Sequence, residues 1–357
     1  MSLTKIRNQS YGVFLRRIHD KAKEKRFPLR AMLEITYRCN FNCLHCYIPE
    51  SFRKDSQERE LKTKEVFSVL NQLKDMGCLY VGFTGGEPFL RDDLPDILRY
   101  AKTKGFEIII YTNGSLIDEN MADALKEIRL NKIDITINSL KKNPFERITR
   151  RRGSYEKVFR SVELLHNRNI PLGFKSCLLK ENEDEIGNIM EFATSLNALH
   201  RLDTRLMPKI NGSKEPYRHA GNLDSVNSLG LGKRFSQVKC NVTDPMNSIK
   251  SEPELFKCGV GLHNITINPL GEVKMCLMID YPKYKILESS LGECWQKLKK
   301  LVDNIEADED YKCNSCGLKS YCRWCPARSW IENGKFSTCV HEAKERAEYD
   351  RRYFAED

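Results

Sequence analysis

Cys39, Cys43 and Cys46 are the residues of this chain best suited to chemistry. Three thiolates spaced C-x3-C-x2-C on one short loop can hold three irons of an iron-sulfur cubane. The fourth iron then has no protein ligand, and an open metal position binds a substrate or cofactor where a closed one serves structure. A zinc site on the same thiolates needs a fourth ligand, and His45, wedged between Cys43 and Cys46, is badly placed to be it. Some forty residues on comes Thr84-Gly85-Gly86-Glu87-Pro88, in which two glycines let backbone approach a ligand closely.

A second cysteine-dense stretch reads Cys258, then Gly271-x4-Cys276, then Cys313-x2-Cys316-x5-Cys322-x2-Cys325, and finally Cys339. C-x2-C pairs taken alone suit zinc, so a pair of zinc ribbons is the alternative reading of this tail. Cys78, Cys177 and Cys294 sit in apolar or helical contexts and read as small buried residues. The first residues lead into a charged stretch and no apolar run approaches the ~18 to 20 residues of a membrane span, so a cytoplasmic protein without membrane contact is expected. In a reducing compartment fourteen cysteines point to metal or redox chemistry and not to disulfides. The net charge of +10 is spread over Arg16-Arg17, Lys21 to Arg26, Arg147 to Arg152 and Lys297 to Lys300. Dispersed charge of this kind reads as solvated basic faces, compatible with an acidic ligand, whereas nucleic acid, which is not expected as a partner, favours a denser stripe.

These residues must be positioned by alternating strands and helices. Apolar runs at Met32 to Thr36, Leu79 to Thr84, Glu107 to Thr112, Lys132 to Ile137, Leu172 to Leu178 and Arg201 to Met207 predict six strands. Amphipathic stretches at Lys64 to Met76, Leu94 to Lys104, Glu119 to Ile128, Tyr155 to Asn167 and Glu183 to Leu196 predict the helices between them. That order makes an α/β fold, a parallel sheet curling into a partial (β/α)6 TIM-like barrel, with its site at the C-terminal strand ends. Cys39 follows the first expected strand, Gly85 the second and Asn113 the third.

The cysteine spacing, with His45 where an aromatic residue usually stands, and the Gly85-Gly86-Glu87 turn resemble the radical S-adenosylmethionine superfamily. The resemblance implies a [4Fe-4S] cluster on Cys39, Cys43 and Cys46 and an open iron that chelates S-adenosylmethionine. It also implies a 5′-deoxyadenosyl radical that removes hydrogen from a substrate. Gly85, Gly86 and Glu87 would contact the methionine amine, and His45, Asn113 and Ser139 would add cofactor contacts. Asn and Ser are also ordinary turn residues. Lys175, Arg147, Arg150, Arg151 and Arg152 are alternative partners for the cofactor carboxylate.

The C-terminal cysteines resemble the SPASM extension of such enzymes, which implies two auxiliary iron-sulfur clusters. Its interleaving assigns Cys313, Cys316, Cys322 and Cys339 to a distal cluster and Cys258, Cys276 and Cys325 to a proximal one. The last C-x2-C departs from the usual C-x3-C, and the proximal fourth position is either Cys240 or an open iron. The expected organisation is a basic helical segment over 1–30, a barrel over 31–210, a bridging region over 211–257, the SPASM unit over 258–345 and a tail over 346–357. The resemblance implies a maturase of a ribosomally made peptide, reduced by a flavodoxin or ferredoxin. Leader recognition falls to a separate protein or to the helix Tyr11 to Arg26. A protein, porphyrin or small metabolite is the alternative substrate, and a non-catalytic iron-sulfur or zinc protein the alternative of another class.

Overall fold

Six apolar segments lie side by side in chain order: β1 Arg30–Thr36, β2 Tyr80–Gly85, β3 Glu107–Thr112, β4 Lys132–Thr136, β5 Leu172–Cys177 and β6 Leu199–Asp203. Each runs parallel to the next in this computed structural model, which describes residues 11–54, 57–227, 255–256 and 258–354. Parallel strands carry helices on the crossovers, so their side chains are buried; Ile108, Ile110, Ile133 and Ile135 are all 0% exposed. The helix Thr63–Asp75 turns Val66, Val69, Leu70 and Leu73 inward, the three-and-four spacing of one face. Leu94–Thr103 does the same with Leu94, Ile97, Leu98 and Ala101. Asp118 caps the helix Glu119–Ile128 by accepting from the Met121 amide.

The sheet does not stop at six strands. β7 (Asn264–Ile267) pairs parallel with β1, and β8 (Glu272–Lys274) and β9 (Tyr284–Lys285) follow antiparallel, giving the order β6-β5-β4-β3-β2-β1-β7-β8-β9. The hairpin that carries Cys276 therefore grows directly on the strand that precedes Cys39. Lys274 and Glu34 join the two parts by an ion pair of 2.6 Å in which both side chains are fully buried. The helix Leu291–Asn304 covers this seam with Leu291, Cys294, Trp295 and Leu298, and the Trp295 indole donates to the Arg26 carbonyl at 3.0 Å.

The N-terminal helix Tyr11–Lys25 is seated by Ala22 and by His19, whose ring nitrogen meets that of His263 at 3.1 Å. His263 precedes β7 and Arg26 precedes β1, so this helix sits at the N-terminal ends of those strands. The cysteine loop lies at their other ends. The basic helix therefore sits at the strand ends opposite the cysteine loop.

The bridging segment after β6 holds the short helix Glu215–His219. Its Ile210 amide donates to the Tyr47 carbonyl at 2.9 Å, and the Tyr217 hydroxyl donates to Glu332 at 2.7 Å in the C-terminal unit. Cys240, the possible fourth proximal ligand, lies outside the described residues. No helix among the described residues is long and apolar enough to cross a membrane.

Candidate functional site

The loop carrying Cys39, Cys43 and Cys46 is held by backbone hydrogen bonds and by one arginine side chain. The Asn42 and Leu44 amides donate to the Thr149 and Ile148 carbonyls at 3.1 and 3.0 Å, at the end of the helix Lys142–Thr149. Arg53, in the helix Glu50–Lys54, donates to the Phe41 carbonyl at 2.9 Å and to Cys46 Sγ at 2.8 Å. Nothing in the sequence singled out Arg53 or that helix. Burial pushes the Cys39 thiol up to about 11 and Cys43 well above its ordinary value, so a metal bound there must displace protons.

All three cysteines line one cavity of about 630 Å³ at the C-terminal ends of the strands. Gly85 and Gly86 line it too, and their lack of a side chain is required by the chain beside them. A Cβ on Gly85, whose φ is +139°, would stand 2.0 Å from the Thr36 carbonyl oxygen, and one on Gly86 2.1 Å from that of Arg38. The amides of Gly86 and Glu87 donate to those same oxygens at 2.8 Å each.

Glu87 does not line the cavity itself, and its carboxylate is buried behind Thr112 and Asn113, which do. It accepts from the Thr112 hydroxyl at 2.7 Å and from the Asn113 and Phe89 amides at 2.7 and 3.1 Å, and is 0% exposed. Burial outweighs these three donors and lifts its carboxyl from 4.5 to about 7. Folding therefore favours the protonated acid, a preference fully present below pH 4.5 and lost as pH rises through about 7. Relative to a Glu87→Gln variant, the wild type should lose about 3 kcal/mol of stability across that window. Urea unfolding of both proteins as a function of pH reads this difference, and two parallel curves would contradict it.

Asn113 lines the cavity, with its amide donating to Asn40 at 2.8 Å and standing 3.9 Å from Cys39 Sγ. Ser139 does not. Its hydroxyl is taken by the buried Glu185 carboxylate at 2.9 Å, and the residue facing the cavity from that turn is Asn138. His45 lines the cavity as a half-buried neutral ring, held down at about 4 by desolvation, with Nδ1 making no hydrogen bond to the described residues. Among the alternative cations Lys175 is in the cavity, 4.1 Å over the Tyr111 ring. Arg150, Arg151 and Arg152 border a separate recess of about 350 Å³, and Arg147 is exposed. Cys177, read from the sequence as a small buried residue, also borders the main cavity; Cys78 and Cys294 are buried as expected.

The C-terminal cysteines fall into two sets. Cys276 lies within electrostatic reach of Cys325 and Cys258, and Cys313 within reach of Cys322, Cys339 and Cys316. Burial pushes Cys276 up to about 12. Cys325 borders the same cavity as Cys39, Cys43 and Cys46, so the cavity spans the barrel and the C-terminal unit. Among the described residues no three His, Cys, Asp or Glu side chains are gathered around a single-ion position. A cubane distributes its thiolates over separate irons and does not need such a set.

Residues 33–193 match the model of the radical SAM superfamily. A 158-residue stretch is 32% identical to Fe-coproporphyrin III synthase of Methanosarcina barkeri, covering 44% of this chain and 39% of that protein. The AdoMet-dependent heme synthase of the same organism is 22% identical over 326 residues, 85% of this chain and 92% of that one. Among solved structures, Streptococcus suis SuiB bound to S-adenosylmethionine superposes with a TM-score of 0.69 at 16% identity, covering 92% of this chain and 80% of that one. Native anSMEcpe with bound AdoMet and the Cp18Cys peptide gives 0.67 at 15% identity, covering 91% of this chain and 96% of that one.

Proposed function

We propose that this chain is a radical SAM enzyme in which Cys39, Cys43 and Cys46 hold a [4Fe-4S] cluster with S-adenosylmethionine on its open iron, and that the substrate is a ribosomally made peptide. The residues present fit that cofactor: three reduced thiols border one cavity, and the backbone of Gly85 and Gly86 is open to a ligand there. When bound, the cluster and S-adenosylmethionine together supply a 5′-deoxyadenosyl radical that takes a hydrogen atom from the substrate. Arg53 and Asn113 steady the sulfurs of Cys46 and Cys39, His45 offers a neutral ring, and Lys175 is the cation for the cofactor carboxylate. Cys258, Cys276 and Cys325 would hold a proximal auxiliary cluster and Cys313, Cys316, Cys322 and Cys339 a distal one, supplying an electron acceptor for net oxidation. A flavodoxin or ferredoxin is the proposed reductant.

One observation carries the reading: a single cavity has the Cys39 loop on one wall and Cys325 on another. A substrate held there would touch both the radical source and the segment able to take up an electron. The peptide assignment is supported by SuiB, whose solved structures include one bound to its precursor peptide with a TM-score of 0.69 to this chain. A porphyrin is the second reading, favoured by the heme synthase alignment along 85% of this chain.

Anaerobic incubation with S-adenosylmethionine and reductant, offering either the product of a short open reading frame beside the gene or coproporphyrin III, tests the choice. A peptide that loses two hydrogen atoms supports the first reading. A change confined to the porphyrin replaces it with the second.

A further inference from the structure

Four arginines border the cavity; Arg201 is met by Asp203 and Arg328 by Glu332, whereas Arg205 and Arg323 have no carboxylate partner among the described residues. Arg205 follows β6 and is half-buried, with its Nη1 donating to the Arg323 carbonyl at 2.7 Å. No carboxylate among the described residues pairs with it. Burial, and after it Arg323, Arg328 and Arg346, lower its pKa, while Cys325 acts the other way. Arg328 is engaged by Glu332 at 2.8 Å and by Glu342, and Arg346 by Asp350 at 2.7 Å. Among the described residues Arg205 and Arg323 have no such partner, and both border the cavity, as does Cys325. Lys175, the cation proposed for the cofactor, belongs to β5 and stacks over Tyr111.

Arg323 is exposed but Arg205 is half-buried, and a guanidinium that has lost part of its water is favoured by an anion within hydrogen-bond reach. A guanidinium presents a planar fork that matches a carboxylate in two parallel hydrogen bonds. We infer that Arg205 and Arg323 form a subsite for a carboxylate of the substrate, which orients an acidic substrate between the Cys39 loop and Cys325. The inference rests on the radical reading of this cavity and narrows its substrate class. A peptide with Asp or Glu near the modified residue and a porphyrin with propionate side chains both supply that group.

The test uses the iron-loaded enzyme with S-adenosylmethionine and two pairs of probes. These are coproporphyrin III against its tetramethyl ester, and the acidic neighbouring-frame peptide against the same peptide with Gln and Asn in place of Glu and Asp. The acid of at least one pair should bind tenfold or more tightly than its neutral partner. Arg205→Gln should abolish that preference and Arg205→Lys should restore part of it. Arg160→Gln, on an exposed helix face away from the cavity, should leave it intact. Equal binding of acid and neutral forms in both pairs, no binding of either acid, or an unchanged preference in Arg205→Gln overturns the subsite. Deoxyadenosine formation by the wild type without any probe reports on the radical reading separately, so the two can fail independently.

Discussion

Replacing Lys274 by methionine is expected to cost about 3–5 kcal/mol of stability, because it leaves the buried Glu34 carboxylate without its counter-charge. The two groups meet at 2.6 Å and neither is exposed to solvent. Burial pushes Glu34 up while Lys274 pulls it back, and the only other donor among the described residues is the Tyr47 hydroxyl at 3.4 Å, too long to compensate. Glu34 lies in β1, which leads into the Cys39 loop, and Lys274 in β8, which leads into Cys276. The pair therefore fixes the distance between the two cysteine-bearing segments as well as stabilising the seam. A Glu34→Met, Lys274→Met double variant removes both charges and should recover most of the loss, as apolar replacements of buried pairs often do. Urea unfolding under anaerobic conditions measures both. A single variant within about 1 kcal/mol of wild type would mean that the seam is held by its apolar contacts alone.

The barrel was legible in the sequence because parallel strands buried on both faces are written as apolar runs; Glu107 to Thr112 is observed with the expected bounds. The join between barrel and C-terminal unit was not. β7 and β8 are four and three residues long, too short to show a period, and β1, which β7 pairs with, lies at the other end of the chain. The helix Lys142–Thr149 was hidden by its own composition, since only Phe145, Ile148 and Thr149 are buried and the rest merges with a basic run. At the site, spacing located the segments and left the direction of individual side chains open. Glu87 and Ser139 look alike as polar residues after strands, but Thr112 at the end of β3 and Glu185 on the crossover after β5 claim their hydrogen bonds. Arg53 and Arg205 belong to no pattern, and their roles exist only once the loop and the cavity are folded.

Most direct is a count of iron and deoxyadenosine in two proteins, wild type and Cys39→Ala, Cys43→Ala, Cys46→Ala, after anaerobic reconstitution and dithionite reduction. The loop has backbone anchors to Ile148 and Thr149 and the Arg53 bond to Phe41, so the variant should fold and keep its C-terminal iron. The account predicts about twelve irons in the wild type and about eight in the variant, as expected for one radical cluster and two auxiliary clusters of four. Deoxyadenosine should form only in the wild type. Equal cleavage by both proteins, or a wild type that fills with zinc and forms no deoxyadenosine under any reductant, would contradict the assignment of Cys39, Cys43 and Cys46.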